Sequence, residues 1–242
     1  MGMKLLSILG KIRWLLTLED THNINQLQKF EAALNKHNYS LRNFYSILDY
    51  GCGDGRLIKY LSQFSPQANI FGCDVSSILI NKCKRKYNSH NFIQTNEYPP
   101  LDFPNEKFDL IYSYSVFTVI SEEVHIAWLK ELSRVLKPGG VSIHAIKGHE
   151  FVRRAMLFSP EVLDSYYNLK KPIDSFIKEN EGYYFSKNKV ARRSWGWSMI
   201  SKEYVKKHWS TYAGIEVIDI IEGAIETYPH GCHDLVLLKK TA

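Results

Sequence analysis

The chain is poor in cysteine, has no apolar run long enough to cross a bilayer, and contains no internal repeat or low-complexity tract. Each absence narrows what it can be. Its four cysteines, Cys52, Cys73, Cys83 and Cys232, form no Cys-x-x-Cys pair. That spacing argues against a disulfide framework or a zinc site and for a reducing compartment, so the expectation is a cytoplasmic protein without a structural metal. The most apolar stretch near the start, residues 4–18, is interrupted by Lys4, Lys11 and Arg13, and no small-residue cleavage site follows it. Leu5, Ile8, Leu9, Ile12 and Leu15 recur at helical spacing. The segment therefore reads as an amphipathic helix packed on the domain, with peripheral membrane contact as the alternative.

What is present is an ordinary globular composition. The 242 residues are 45% hydrophobic, which is enough to bury one domain with additions. Lysine and arginine (31) outnumber aspartate and glutamate (25), for a net charge of +6. The basic cluster Lys82 to Lys86 reads as a solvated face, while Arg153-Arg154 and Lys187 to Arg193 could also attract an anionic substrate, a nucleic acid or an acidic membrane surface. No nucleic-acid-binding module accompanies them, so a nucleic-acid partner is not expected. The sequence carries no signal of oligomeric state.

The most informative run is Ile47-Leu48-Asp49-Tyr50-Gly51-Cys52-Gly53-Asp54-Gly55-Arg56-Leu57. Apolar residues lead into three glycines at alternate positions, and a helical pattern follows: a strand, a tight turn and a helix start. Glycine permits the turn and lets a ligand approach the backbone closely. Asp74 ends a second apolar strand, Ile70 to Cys73, where an acid can bond both hydroxyls of a ribose. These features point to a nucleoside cofactor on a doubly wound sheet. The loop departs from the dinucleotide pattern Gly-x-Gly-x-x-Gly, because Arg56 stands at its sixth position. Asp49 adds a carboxylate that suits a positive ammonium or sulfonium better than a pyrophosphate.

This arrangement resembles motif I of the class I S-adenosylmethionine-dependent methyltransferases. The resemblance continues through Pro99 to Pro104, Lys107 to Tyr112, Ser115 to Thr118, Trp128 to Leu132 and Arg134 to Gly140, covering about residues 45 to 147. It implies S-adenosylmethionine as cofactor and S-adenosylhomocysteine as product. By matching positions, Gly51, Cys52, Gly53 and Gly55 form the cofactor loop, with Asp49 near the methionine ammonium. Asp74 takes the ribose hydroxyls and Val75 flanks the adenine. Asn96 or Glu97 lies at the adenine edge, and Tyr114 and Ser115 border the transferred methyl.

The alternation of predicted elements requires an α/β fold, a mostly parallel sheet with helices on both faces. With the resemblance, it becomes a seven-stranded Rossmann-like sheet whose last strand is antiparallel. The expected organisation is an N-terminal helical region (1–45), a cofactor-binding core (46–147), a substrate cap inserted between strands five and six (148–213), and a closing hairpin (214–242). The predicted sixth and seventh strands are Ile215 to Ile221 and Asp234 to Leu238, with the loop 222–233 facing the cofactor pocket.

The expected acceptor is a small molecule, methylated on oxygen or nitrogen, with sugars and specialised metabolites suggested by the resemblance. RNA, protein, and a non-catalytic cofactor-binding scaffold are the rivals. Three histidines, His149, His230 and His233, are candidate general bases, since an imidazole works near neutral pH. Tyr184, Trp195, Trp197, Arg193, Glu222 and Tyr228 are candidate substrate contacts. No Asn/Asp-Pro-Pro-Tyr follows strand four, no Asp-Asp-Asn constellation suggests a catechol-type metal site, and no cysteine stands where a cytosine-C5 nucleophile would.

Overall fold

The computed structural model describes residues 21–87, 91–157, 176, 182–187, 195–227 and 231–241. Residues 4–18, Arg193, Tyr228 and His230 lie outside them, and with them the expectations placed on the amphipathic start and on those three side chains.

The strands β1 (Ser46–Tyr50), β2 (Asn69–Asp74), β3 (Phe92–Gln94), β4 (Phe108–Ser113) and β5 (Leu136–Ile146) pair in parallel. Outside β5, β9 (Gly231–Lys240) pairs antiparallel, and β8 (Ile215–Thr227) closes the edge. The order is β3-β2-β1-β4-β5-β9-β8, a seven-stranded sheet with β9 running against its neighbours. Neighbouring residues of the central strands point to opposite faces, and both faces are covered. Leu48, Ile111 and Ile146 pack with Trp128 of helix α4 (Glu122–Val135) and with Trp209. Ile47, Leu110 and Ile143 pack with Leu27, Phe30 and Leu34 of helix α1 (21–35) and Leu61 of α2 (Ile58–Phe64). A smaller cluster joins Cys52 and Phe92 to Ile80 and Cys83 of α3 (Ser77–Tyr87).

The far end of α1 is tied to the start of β1. Glu31 accepts from the Ser40 hydroxyl and the Leu41 amide, both at 2.7 Å.

Two boundaries differ from expectation. The fifth strand begins at Leu136, with Pro138-Gly139-Gly140 inside it. Phe108 pairs with Leu136 and Leu110 with Val141, so the turn is absorbed as a bulge, with Gly139 at φ +73°. The predicted loop 222–233 is mostly strand. Gly223, at φ +60°, breaks the register between Ile221 and Ile225, and β8 then continues to Thr227. The bulge lets the ladder resume where a uniform pattern would have stopped.

Between β5 and β8 the described residues form helix α5 (His149–Ala155), a hairpin of β6 (Tyr183–Lys187) and β7 (Gly196–Ile200), and helix α6 (202–213), which contains a π turn over Val205–Trp209. The hairpin is fastened to the segment after β4. Gly196 N–H donates to Val119 O at 2.8 Å and Ser198 N–H to Thr118 O at 2.9 Å. Ile120 and Trp195 form a further bridge.

Candidate functional site

A cavity of about 210 Å³ opens where the parallel strands end, the place where open α/β sheets bind ligands. One side is lined by Tyr50, Gly51, Asp74, Val75, Thr95 and Glu97, the other by Tyr114, Ser115, Val116, Val119, Ile120, Trp128 and Trp195. Of the predicted cofactor residues, Gly51, Asp74, Val75, Glu97, Tyr114 and Ser115 border it.

The loop after β1 is shaped by its glycines. Gly51 sits at φ +80°, and a Cβ there would overlap the Val116 side chain. Gly53 has φ +56° and open space where a side chain would be. Gly55 serves packing instead: its carbonyl accepts from the Tyr87 hydroxyl of α3 at 2.6 Å, and a Cβ would strike that ring. Asp74 holds the loop from the second strand. Its Oδ2 accepts from Gly53 N–H at 3.0 Å and its Oδ1 from Ser76 N–H at 2.8 Å. Ser115, at φ +61°, holds a left-handed conformation that costs a serine energy, at the point where β4 meets the cavity.

Asp49 does not line the cavity. It lies under the loop, 2% exposed, and forms no ion pair among the described residues. Burial pushes its carboxyl up to about 7, against the pull of the Tyr112 hydroxyl and the Arg56 guanidinium. A buried carboxylate in this state is completed by a positive group, and Asp74 beside it offers acceptors to hydroxyls. This donor and acceptor set fits a nucleoside carrying a cationic amino-acid tail.

Other predicted residues sit elsewhere. Cys52 turns into the α3 cluster. Asn96 is exposed, and its buried neighbour Thr95 takes the cavity wall together with Glu97. His149 and Glu222 line a second, more open cleft of about 530 Å³ with Arg153 and Arg154. His149 there packs on Phe176, and Glu222 pairs with Lys202 at 3.0 Å. Neither borders the cofactor-side cavity: His149 opens α5, and Glu222 stands on the edge strand β8. Tyr184 packs with Phe151, Val152 and Phe176 inside the cap. Trp195 borders the cavity, and Trp197 covers Lys147.

His233 is 5% exposed and lies against Tyr114, ring centroids 5.2 Å apart. Burial is the main cause that pushes it down to about 3, with the Lys147 and His22 charges adding to the effect. It is a weak base at neutral pH.

Sequence reasoning passed over Lys147, which follows the last residue of β5. It is 4% exposed, and its ammonium donates to Thr118 O at 3.1 Å under the Trp197 ring, 3.8 Å from the centroid. Burial holds its pKa well below the usual lysine range. The available signal is a lone charge directly after the strand Val141 to Ile146.

Among the described residues no group of three or more His, Cys, Asp or Glu is placed to hold a metal ion, and no helix is long and apolar enough to cross a membrane.

Residues 47–140 match the family model described as "Methyltransferase domain". The chain is similar to thiocyanate methyltransferase 1 of Brassica oleracea, 35% identical over 94 residues, or 37% of this chain and 41% of that protein. It is also similar to a fatty-acid O-methyltransferase of Mycolicibacterium smegmatis, 33% identical over 103 residues, 40% of this chain and 35% of that one. The match thus spans about two fifths of the length of these relatives. Among solved structures, a SAM-dependent methyltransferase from Methanosarcina mazei superposes with a TM-score of 0.58 at 20% identity, covering 85% of this chain and 96% of that one. This last likeness is one of fold.

Proposed function

On the premise that residues 47–140 belong to the class I S-adenosylmethionine-dependent methyltransferases, we propose that the protein transfers a methyl group from S-adenosylmethionine to an oxygen of a small-molecule acceptor. The observation that carries this reading is the Asp74 carboxylate, fixed by the Gly53 and Ser76 amides at the rim of a cavity. Bound there, S-adenosylmethionine supplies an electrophilic methyl on a positive sulfur. The chain's own part is to place and to exclude. Asp74 takes the ribose hydroxyls, the buried Asp49 answers the cationic tail, and Val75 and Glu97 flank the base. Tyr114 and Ser115 stand at the reacting end. Val116, Val119, Ile120 and Trp195 form an apolar wall that keeps water from the reacting atoms and orients the acceptor.

The small size of the cavity favours a small acceptor over RNA or a protein, and the names of the thiocyanate and fatty-acid relatives point the same way. The apolar wall suits a specialised metabolite or an acyl compound better than a free sugar. Cytoplasmic location belongs to the same reading.

The test is a thermal-shift titration with S-adenosylmethionine, S-adenosylhomocysteine and NAD, repeated on Asp74→Ala. Stabilisation by the first two, lost in the variant, is the expected result. Stabilisation by NAD alone, or by none of the three, overturns the reading.

A further inference from the structure

Lys147 is a buried lysine without a carboxylate partner among the described residues. Left alone in a low-dielectric interior its amine is held toward the neutral form, and an arriving anion would favour the charge. Its surroundings are defined on each side. From the β4–α4 connection comes the Thr118 carbonyl, which takes one of its three N–H donors. From β7 and α5 come the faces of Trp197 and Phe151, at 3.8 and 5.4 Å from Nζ. From β9 comes His233, close enough for the two charges to repel. Among the described residues no negative group completes this shell.

The shell adjoins the lining of the cavity at two points. His233 Nδ1 is buried and has no hydrogen-bond partner among the described residues, and its ring lies on Tyr114, which borders the cavity. Val119 and Ile120, the two residues after Thr118, line that cavity as well. Arg56 lies over the Tyr114 ring, 5.9 Å from its centroid. A buried lysine without a counter-ion among the described residues and an orphaned imidazole nitrogen thus lie directly behind the cavity wall, Lys147 against Thr118, which precedes Val119 and Ile120, and His233 against Tyr114.

We propose that the acceptor is a carboxylate on an apolar body, received by the Lys147 ammonium and the His233 Nδ1–H beside Tyr114. This inference rests on the methyltransferase reading and gives its acceptor a chemical class. In the transfer, a carboxylate oxygen lone pair forms the new O–C bond to the methyl. The C–S bond breaks with its electron pair going to sulfur, and the products are a methyl ester and a neutral thioether. No proton leaves the acceptor, so no general base is needed. That agrees with His149 lying in another cleft and with His233 being a weak base. Burial already favours the neutral amine, so the arriving anion makes the ammonium form the stable one.

The experiment uses the whole protein loaded with S-adenosylhomocysteine. Benzoate and octanoate are titrated against the neutral isosteres benzamide and octanol, with binding read by calorimetry, on the wild type and on Lys147→Met and Lys147→Arg. Carboxylates should bind and their neutral counterparts should not. Lys147→Met should weaken carboxylate binding roughly thirtyfold or more, the loss that follows removal of one partner of a buried charge pair. Lys147→Arg should retain part of it. S-adenosylhomocysteine should bind Lys147→Met as it binds the wild type, which certifies the fold of the variant. Equal binding of neutral isosteres, an undiminished response in Lys147→Met, or no carboxylate binding to the loaded wild type overturns the inference alone. Failure of S-adenosylhomocysteine to bind the wild type overturns the methyltransferase reading, and this inference with it.

Discussion

The Gly53 amide donates to Asp74 Oδ2 at 3.0 Å, so the glycine loop after β1 and the carboxylate that ends β2 form one hydrogen-bonded unit. Asp74 therefore shapes the loop as well as offering acceptors to a ribose. Asp74→Asn keeps one oxygen for the loop and loses the charge, while Asp74→Ala loses both. S-adenosylhomocysteine affinity, measured by calorimetry, should fall roughly tenfold in the first and roughly a hundredfold in the second, the span expected for hydrogen bonds to a charged group. Equal losses would mean that the loop contact carries nothing.

Gly51 and Gly53 both hold positive φ, but only Gly51 is crowded. Gly53→Ala should cost about 1–2 kcal/mol, the strain of a left-handed alanine. Gly51→Ala adds the overlap with Val116 and should cost about 1–3 kcal/mol more. It should also narrow the cavity, since Val116 lines it. Urea denaturation and ligand binding on the two variants check this order.

Asp49 gives ligand binding a pH dependence of known sign. Its carboxyl, raised by burial to about 7, is largely protonated at pH 6 in the free protein. A cationic ligand favours the ionised form, so binding S-adenosylmethionine should release a proton and tighten between pH 6 and 8. The other charged or titratable groups that act on Asp49 are Arg56 and Asp74, with the Tyr112 hydroxyl beside it. Asp49→Asn should remove the proton release, seen by calorimetry in buffers of differing ionisation heat.

Folding stability responds to acid through the buried histidines. Burial pushes His144 and His233 down to about 3, and His125 well below its ordinary value. A histidine held neutral stabilises the fold above its unfolded pKa of about 6.5 and loses that contribution as pH falls toward its folded value. Each accounts for about 1.4 kcal/mol per pH unit in that window. Asp49 and Asp234, raised to about 7 and about 6, act oppositely: their contribution is present at low pH and lost as pH rises through those values. Three histidines against two aspartates leave a net loss as pH falls toward 5, with the urea midpoint as readout.

His125 offers a direct test of that account. Both its ring nitrogens are buried without partners, among Phe117, Tyr183 and Trp209. His125→Phe should stabilise the protein by about 1–3 kcal/mol at pH 7, the penalty of an unsatisfied buried polar group. The gain should grow at pH 5.

The parts legible in the sequence were those written in local pattern. The apolar runs around Ile47, Ile70 and Ile111 and the glycines between Tyr50 and Arg56 identify the parallel core and the loop. The less legible parts depend on contacts between distant residues. Nothing near Gly223 announces that β8 resumes after a bulge, because the ladder is restored by β9. His149 was placed at the pocket because it follows β5. The helix that begins there carries it to another cleft. Lys147 is not distinguished in the sequence, because one lysine after a strand that alternates apolar and polar residues, Val141 to Ile146, is ordinary. Its burial is decided by Trp197, fifty residues later.

The stitching of β7 to Thr118 and Val119 has an evolutionary reading. The insertion after β5 is built into the cavity wall, so its sequence and that of the short segment after β4 are constrained together. A change of acceptor could proceed through paired substitutions in Thr118–Ile120 and Trp195–Ser198 while the glycine loop and Asp74 stay untouched. Grafting a relative's insertion without its matching β4 segment would join two halves of an interface that had never been selected to meet.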